Sequence, residues 1–192
     1  MTGRTHDLAA LNTLAFVAII ADGGGSITLS TLLVALLANQ IGGIAPDIDQ
    51  PTAPFWRNLP IGGYFGRIID RMLGGHRFIT HSLIGLGLFA FLSNMLLHFL
   101  HPIMRSVDID LVWIAFIVGM VSHLIMDTFT KEGVPWLLPI PIKFGIPPIK
   151  ALRIVTGKKM EKFIFTLLVA IDIWLIAMNY DHLLRLFHAR II

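Results

Sequence analysis

The sequence predicts an all-α integral membrane protein, a bundle of about five transmembrane helices that forms one domain over residues 1–192. Two features of the composition support this class. Hydrophobic residues make up 55% of the chain and charged residues only 14%, whereas a soluble domain carries far more charge on its surface. The third observation is the length of the apolar segments, because a hydrocarbon core of about 30 Å is crossed by about 20 apolar residues in a helix.

Five apolar segments are candidate spans, and we expect all of them to be helical because an open strand cannot satisfy its backbone hydrogen bonds in lipid. They are residues 8–21, 27–45, 82–100, 110–128 and 163–180. The first segment is short and follows Arg4, a pattern that also fits a signal peptide. The sequence after it, ADGGGS, is a weak cleavage site, so we interpret the segment as a membrane span.

Two connectors with more polar residues separate these spans, residues 47–81 and residues 129–162. The second contains the sequence PWLLPIPIKFGIPPIK, whose prolines exclude a regular helix. A non-helical segment of this kind is expected in a re-entrant loop or at the membrane surface. When the five spans are traced across a membrane, both connectors and the start of the chain lie at the same face.

That face, the site face, gathers histidine and aspartate side chains from four separate segments. They are His6, Asp47, Asp49, His76, His81, His123 and Asp127. The chain has no cysteine, so a metal site would have to use such side chains. His123 and Asp127 lie four residues apart and therefore share one helix face. If residues 47–49 are extended, Asp47 and Asp49 point the same way and repel each other unless a cation lies between them.

The basic residues indicate an orientation, because lysine and arginine accumulate in the cytoplasmic loops of membrane proteins. Of the 15 basic residues, 12 fall on the site face. The sequence therefore predicts a multi-pass protein of the bacterial inner membrane whose site face is cytoplasmic. Some of these cations are also candidates for contact with an anionic substrate, which biases the count.

Several short motifs resemble one protein family. The sequences PDIDQP, GHRFITHSL and SHLIMDTFTKEGVPWLLP occur in the order and spacing of the LexA-regulated inner-membrane metal-dependent hydrolases of bacteria, the YdjM type. The N-terminal TH and the sequence KKMEKFIF are also similar to that family, and the resemblance extends from about residue 4 to residue 170. It implies a single hydrolase-like domain with a metal-binding set: His6, Asp47, Asp49, His76, His81, His123 and Asp127. It further implies Arg77, Thr80 and Glu161 as motif residues without an assigned role.

The family itself resembles a distant superfamily, and this sequence differs from the family pattern at two positions. The family is distantly similar to the zinc-dependent phospholipase C and P1 nuclease superfamily, which is an analogy at the level of fold. Gln50 stands where the family commonly has a histidine, so one additional ligand is absent. Phe78 replaces a glycine that often follows the HR pair. Glu161 is either a group that supports the metal ligands or a surface partner of Lys158.

We therefore expect a membrane-embedded metal-dependent hydrolase that cuts a phosphoester of a lipid or lipid-linked substrate with a metal-activated water. The expected cofactor is a divalent metal, with zinc as the first candidate and one to three ions bound. Asp49, His81 and Arg77 are the predicted catalytic residues, with Arg77 either clamping a phosphate or contacting lipid headgroups. The expected partners are the lipid bilayer and a phosphate-containing lipid, and no nucleic acid. The sequence does not indicate an oligomeric state.

Two other classes of function stay open. One is an ion or proton transporter that uses His123, Asp127 and Asp172 as a relay inside the membrane. Transport sites usually lie near the membrane midplane, whereas most of the candidate ligands lie at helix ends. The other is a structural membrane protein in which His123 and Asp127 only hydrogen-bond between helices. Asp172 lies inside the fifth span, where Asn94 or another buried polar group is a candidate partner.

Overall fold

The computed structural model describes residues 1–20, 27–74, 77–140 and 142–181. Within these ranges the chain forms seven α-helices and no β-strand, which confirms the predicted all-α class. The helices are α1 (Gly3–Ile20), α2 (Leu29–Ile44), α3 (Pro54–Arg57), α4 (Gly62–Met72), α5 (Leu83–Leu100), α6 (Ile109–Thr128) and α7 (Lys159–Met178). Two short 3-10 helices, Ala45–Asp49 and Lys150–Leu152, lie between them.

Three of the described helical segments are long and apolar enough to cross a membrane, Leu29–Asp49, Leu83–Leu100 and Ile109–Thr128. They correspond to the second, third and fourth predicted spans. The helices α1 and α7 have comparable lengths of 18 and 20 residues, but both contain charged residues, among them Asp172 in α7. The first and fifth spans, and with them the count of five, stay predictions.

The helices α2 and α6 approach each other so closely that their backbones are in contact. A Cβ atom added at Gly42 of α2 would collide with the carbonyl group of Phe116, and one added at Gly119 of α6 would collide with the carbonyl group of Asn39. Small residues at a crossing allow two helix backbones to approach this closely. The amide of Asn39 also donates a hydrogen bond to the Ala115 carbonyl at 3.1 Å. The pair α2–α6 is thereby held in one register.

The two aspartates at the end of α2 are not in an extended segment, so the condition under which they would point the same way is not met. Residues Ala45–Asp49 form a 3-10 helix that continues α2. A 3-10 helix has about three residues per turn, so side chains two positions apart diverge by roughly 120°. Asp47 accordingly keeps 21% of its side chain exposed, whereas the side chain of Asp49 is fully buried.

The connector after α6 folds back against the ends of α5 and α6. It contains the 3-10 helix Lys150–Leu152 and two isolated β-bridges. The carbonyl of Trp136 accepts a hydrogen bond from the Leu83 N–H at 3.0 Å. The indole of the same residue donates to the Thr128 hydroxyl at 3.0 Å. These bonds hold the connector over the end of α6 that carries His123 and Asp127.

The first helix, α1, packs against α2, α6 and α7, and this brings His6 to the end of α6. Asn12 of α1 donates to the Leu168 carbonyl of α7 at 3.2 Å. The side chain of Asp172 is hydrogen-bonded to Asn12. The polar partner of Asp172 is therefore Asn12, on a neighbouring helix, and Asn94 does not fill that role.

Candidate metal centre

Asp127, in the last turn of α6, is the carboxylate on which three histidines converge. Its side chain is 1% exposed, and its Oδ1 atom lies 3.3 Å from His6 Nε2. Its Oδ2 atom lies 3.6 Å from His81 Nε2 and 3.7 Å from His123 Nε2. The three imidazoles belong to α1, to the segment before α5 and to α6, so the fold assembles the cluster from parts that are distant in sequence.

The hydrogen bond of His123 shows which of its ring nitrogens carries a lone pair. The Nδ1 atom lies 2.6 Å from the carbonyl oxygen of Gly43. A carbonyl oxygen only accepts hydrogen bonds, so Nδ1 carries the proton and Nε2 carries the lone pair. That Nε2 atom faces Asp47 Oδ1 at 3.6 Å and Asp127 Oδ2 at 3.7 Å. Three electron-rich atoms that face one another repel unless a cation lies between them.

His81 is oriented in the same sense by the hydroxyl group of Thr80. That hydroxyl donates its proton to Asp49 Oδ2, and it therefore accepts the proton of His81 Nδ1 at 2.9 Å. The lone pair of His81 is then on Nε2, which lies 3.8 Å from Asp47 Oδ1 and 3.6 Å from Asp127 Oδ2. Burial lowers the pKa of His81, which favours the neutral ring that a metal ligand requires. A carboxylate behind a histidine commonly orients it for metal binding.

The donor atoms form two sets of three, and within each set all atoms lie within 4.8 Å of one another. The first set is His6, His123 and Asp127, and the second is Asp47, His81 and His123. A tetrahedral site with bonds of about 2.1 Å holds its ligand atoms about 3.4 Å apart. The observed N···O separations of 3.3–3.8 Å are close to that value. Imidazole nitrogen and carboxylate oxygen suit zinc and other divalent metals, so these residues fit such an ion.

Two cations of the chain contact Asp127 directly. Arg77 Nη2 forms an ion pair with Asp127 Oδ2 at 2.5 Å. The N-terminal ammonium group of Met1 donates to Asp127 Oδ1 at 2.5 Å. In the described parts of the chain, Asp47 forms no ion pair with a lysine or an arginine. The negative charge of Asp47 is therefore not compensated by a cationic side chain, unlike that of Asp127. The set of Asp47, His81 and His123 is for this reason the stronger candidate for binding a cation.

The remaining predicted site residues lie around this cluster. Arg77 adopts a left-handed backbone conformation with φ of 60°, which costs about 1–3 kcal/mol for a residue other than glycine. Its N–H donates to Asp49 Oδ2 at 3.0 Å, and its Nη1 donates to the Thr130 hydroxyl at 3.1 Å. Asp49 belongs to neither of the two donor sets. His76 lies outside the described residues.

The surroundings of Glu161 distinguish between the two roles that the sequence left open for this residue. It is 2% exposed and accepts four hydrogen bonds, from the N–H and hydroxyl of Thr2, the hydroxyl of Thr5 and the N–H of Gly157. Burial raises its pKa, but these hydrogen bonds outweigh that effect and lower the pKa to about 2. The ionised carboxylate ties the start of α1 to the start of α7. Because Thr5 precedes His6, Glu161 supports the segment that carries a predicted ligand, and it is buried instead of being a surface partner of Lys158.

Replacing Glu161 with Gln is expected to lower the midpoint of thermal unfolding at pH 7 by roughly 5 °C. A neutral amide cannot accept all four hydrogen bonds, and its NH2 group opposes a backbone donor. The folded pKa of about 2 lies below the ordinary value of 4.5. The stabilisation by Glu161 is therefore complete above pH 4.5 and lost as the pH falls towards 2. We expect the unfolding midpoint in detergent to fall less in the variant than in the wild type as the pH is lowered through this range. Identical dependence of the midpoint on pH in the two proteins would contradict the role of Glu161.

Comparison with known proteins places these features in a family context. The sequence profile of the family described as YdjM inner membrane protein matches residues 1–183. The inner membrane protein YdjM of Escherichia coli strain K12 is 30% identical over 132 residues, which cover 69% of this chain and 61% of that protein. A Bacillus subtilis strain 168 protein, described as uncharacterized protein YvsG, is 25% identical over 164 residues, or 85% of this chain and 87% of the relative. No solved structure matches the chain significantly.

Proposed function

This chain belongs to the YdjM inner membrane protein family, and from that premise we propose that it is a membrane-embedded metal-dependent hydrolase. We further propose that it cuts a phosphoester of a lipid or lipid-linked substrate. The observation that carries the proposal is the convergence of the Nε2 lone pairs of His81 and His123 on Asp47, which forms no ion pair with a lysine or an arginine in the described parts of the chain. A buried arrangement of this kind is unfavourable without a cation.

The proposed metal-binding set consists of the two donor sets together with His76, whereas Asp49, the other predicted ligand, belongs to neither set and orients His81 through Thr80. These residues would hold a divalent metal, which would supply a water molecule of lowered pKa and polarisation of a phosphoryl oxygen. Zinc is the proposed metal because sets of histidine with a carboxylate are common at catalytic zinc sites. The proposed number of ions is one to three.

The chain's own residues orient the donors and set their charge. Gly43 and Thr80 hold the protons of His123 and His81 on Nδ1, which leaves both Nε2 atoms free of a proton. Asp49, assigned a catalytic role from the sequence, acts in this proposal through Thr80 as a positioning residue. Arg77, assigned the same role, restrains Asp127 through its ion pair. Asp47 is the partly exposed member of the cluster, so substrate is proposed to approach from its side.

The orientation of the site is also a proposal. The excess of basic residues on the site face favours a cytoplasmic location. A lipid of the inner leaflet would then present its phosphate at the depth of the helix ends that carry the cluster. The relay required by a proton transporter has less support, because Asp172 bonds to Asn12, which lies about 9 Å along α1 from His6.

Turnover measurements before and after chelation test the proposed activity. The purified full chain should cleave a phosphodiester such as bis-p-nitrophenyl phosphate, or a short-chain phospholipid. EDTA should abolish this cleavage and added zinc should restore it. Turnover that chelation leaves unchanged would contradict the metal-dependent mechanism.

Substitution of Asp49 or His81 by Ala is expected to abolish metal binding, and elemental analysis of the purified variants measures it. His81 is a proposed ligand, and Asp49 orients it through Thr80. His98→Ala is the matched control, because His98 is an exposed histidine on α5 outside both donor sets. If the Asp49 and His81 variants hold as much transition metal as the wild type, these residues do not serve a metal site.

A further inference from the structure

A cavity of about 940 Å³ lies beside the candidate metal centre. Its walls come from the start of α1, the end of α2 with the following 3-10 helix, α3, and the start of α7. Asp47 is part of the wall and also belongs to the donor set with His81 and His123. The cavity therefore meets the cluster at its partly exposed carboxylate. Its volume falls within the range of about 300–1,000 Å³ that is usual for small-molecule sites.

Three cationic side chains line the cavity, Arg4, Arg57 and Lys162. They come from α1, α3 and α7, so the packing of three separate helices brings them to one cavity. Within the described ranges, none of the three side chains forms an ion pair or a hydrogen bond with another residue. Arginine and lysine that are left without partners around a concave site are suited to phosphate oxygens.

Three carboxylates also line the cavity, those of Asp7, Asp47 and Glu161. Glu161 accepts four hydrogen bonds from neighbouring residues. Asp47 faces the Nε2 atoms of His81 and His123. The carboxylates equal the cations in number, so the case for an anionic ligand rests on the three cationic side chains having no partner in the described ranges, and not on a net positive charge.

The apolar part of the wall adds a second kind of contact. Phe55 and Phe165 line the cavity with 45% and 36% of their surface exposed, respectively. Ile44, at the end of α2, lines it as well and is 39% exposed. Aromatic and aliphatic side chains next to cations match a ligand with an anionic head and an apolar body.

We propose that this cavity binds an amphiphilic phosphate compound, with Arg4, Arg57 and Lys162 contacting the phosphate and Phe55 and Phe165 contacting the adjoining apolar chain. The proposal rests on the proposed function, since it places the phosphate next to the metal donor Asp47. It adds the residues that bind the two parts of such a substrate, the phosphate and the adjoining apolar chain.

Binding measurements with the full chain in detergent test this assignment. Isothermal titration uses a short-chain phosphonolipid, whose C–P bond is not hydrolysed. Methylphosphonate represents the headgroup alone, and dihexanoylglycerol represents the apolar part alone. The wild type should bind the phosphonolipid more than tenfold more tightly than either fragment, because both parts of the wall contribute. Equal affinity for methylphosphonate would overturn the apolar half of the proposal, and equal affinity for dihexanoylglycerol would overturn the cationic half.

Variants then test the cations. Arg57→Ala and Lys162→Ala should each weaken phosphonolipid binding by about tenfold. Lys159→Ala is the matched control, because Lys159 is an exposed lysine in the first turn of the same helix and does not line the cavity. It should change the affinity by less than about twofold. Unchanged phosphonolipid affinity in the double variant Arg57→Ala/Lys162→Ala would overturn the proposal.

Metal content of the same samples separates this proposal from the proposed function. The cationic side chains are exposed and lie outside the donor sets, so the variants should keep the wild-type metal content and unfolding temperature. If the wild type contains metal and cleaves phosphoesters while the variants bind the phosphonolipid normally, only the cavity assignment fails. If the wild type contains no metal but its phosphonolipid binding depends on Arg57 and Lys162, the hydrolase proposal fails and the anion site stands.

Discussion

Replacing His123 with Ala is expected to reduce the metal content of the purified protein by more than about tenfold. His123 is the residue shared by both donor sets, so its loss leaves two donors in each. Two protein ligands alone hold a divalent ion weakly, because structural and catalytic sites use three or four protein ligands. Elemental analysis after gel filtration measures the bound metal per chain.

The control for this variant is His98→Ala, which removes an exposed imidazole of α5. Thermal unfolding should accompany the metal analysis, because His123→Ala also leaves the Gly43 carbonyl without its donor. His123→Gln is a second variant that fills more of the space and retains an N–H donor. Both His123 variants should lose metal while the protein still unfolds cooperatively. Wild-type metal content in either variant would show that the cluster is not the binding site.

Gly119→Ala is expected to lower the midpoint of thermal unfolding by roughly 5–10 °C. The added Cβ would collide with the backbone carbonyl of Asn39, and a backbone atom cannot move away by changing a rotamer. The helices α2 and α6 would have to separate, which also weakens the hydrogen bond from Asn39 to Ala115. Because these helices carry Asp47 and His123, metal affinity should fall together with stability.

Gly87→Ala is the matched control for this substitution. Gly87 lies in α5, and no atom outside its own helical surroundings lies within 4 Å of a Cβ added there. Alanine is a better helix former than glycine, so the control should unfold at the wild-type temperature or slightly above it. If Gly119→Ala unfolds at the wild-type temperature, the close crossing of α2 and α6 is contradicted.

Much of this fold could be predicted because its signals are local. The long apolar segments and their polar ends are visible along the sequence, and three of the predicted spans correspond to the helices able to cross a membrane. The grouping of the site residues also followed from simple reasoning, since each span that crosses the membrane reverses the face on which its end lies. The structure brings five of the seven predicted ligands into the two donor sets, His6, Asp47, His81, His123 and Asp127.

Other features depend on backbone geometry and packing, which short-range patterns do not reveal. Asp47 and Asp49 diverge because residues 45–49 continue as a 3-10 helix. Glu161 meets Thr2 at a distance of 159 positions in sequence, and only the packing of α1 against α7 produces that contact. Thr130, which accepts a hydrogen bond from Arg77, lies three residues after the predicted ligand Asp127 in the motif DTFTKEG, and that position is the signal that could have identified it.

X-ray absorption spectroscopy of protein purified without chelators tests most directly whether a metal lies in the cluster. We expect an absorption edge of zinc or another divalent metal, with nitrogen and oxygen as nearest neighbours and the scattering pattern of at least two imidazoles. The chain has no cysteine, so a sulfur shell from thiolate is not expected. A sample without a metal edge, or a metal without imidazole neighbours, would contradict a centre built from His6, His81 and His123.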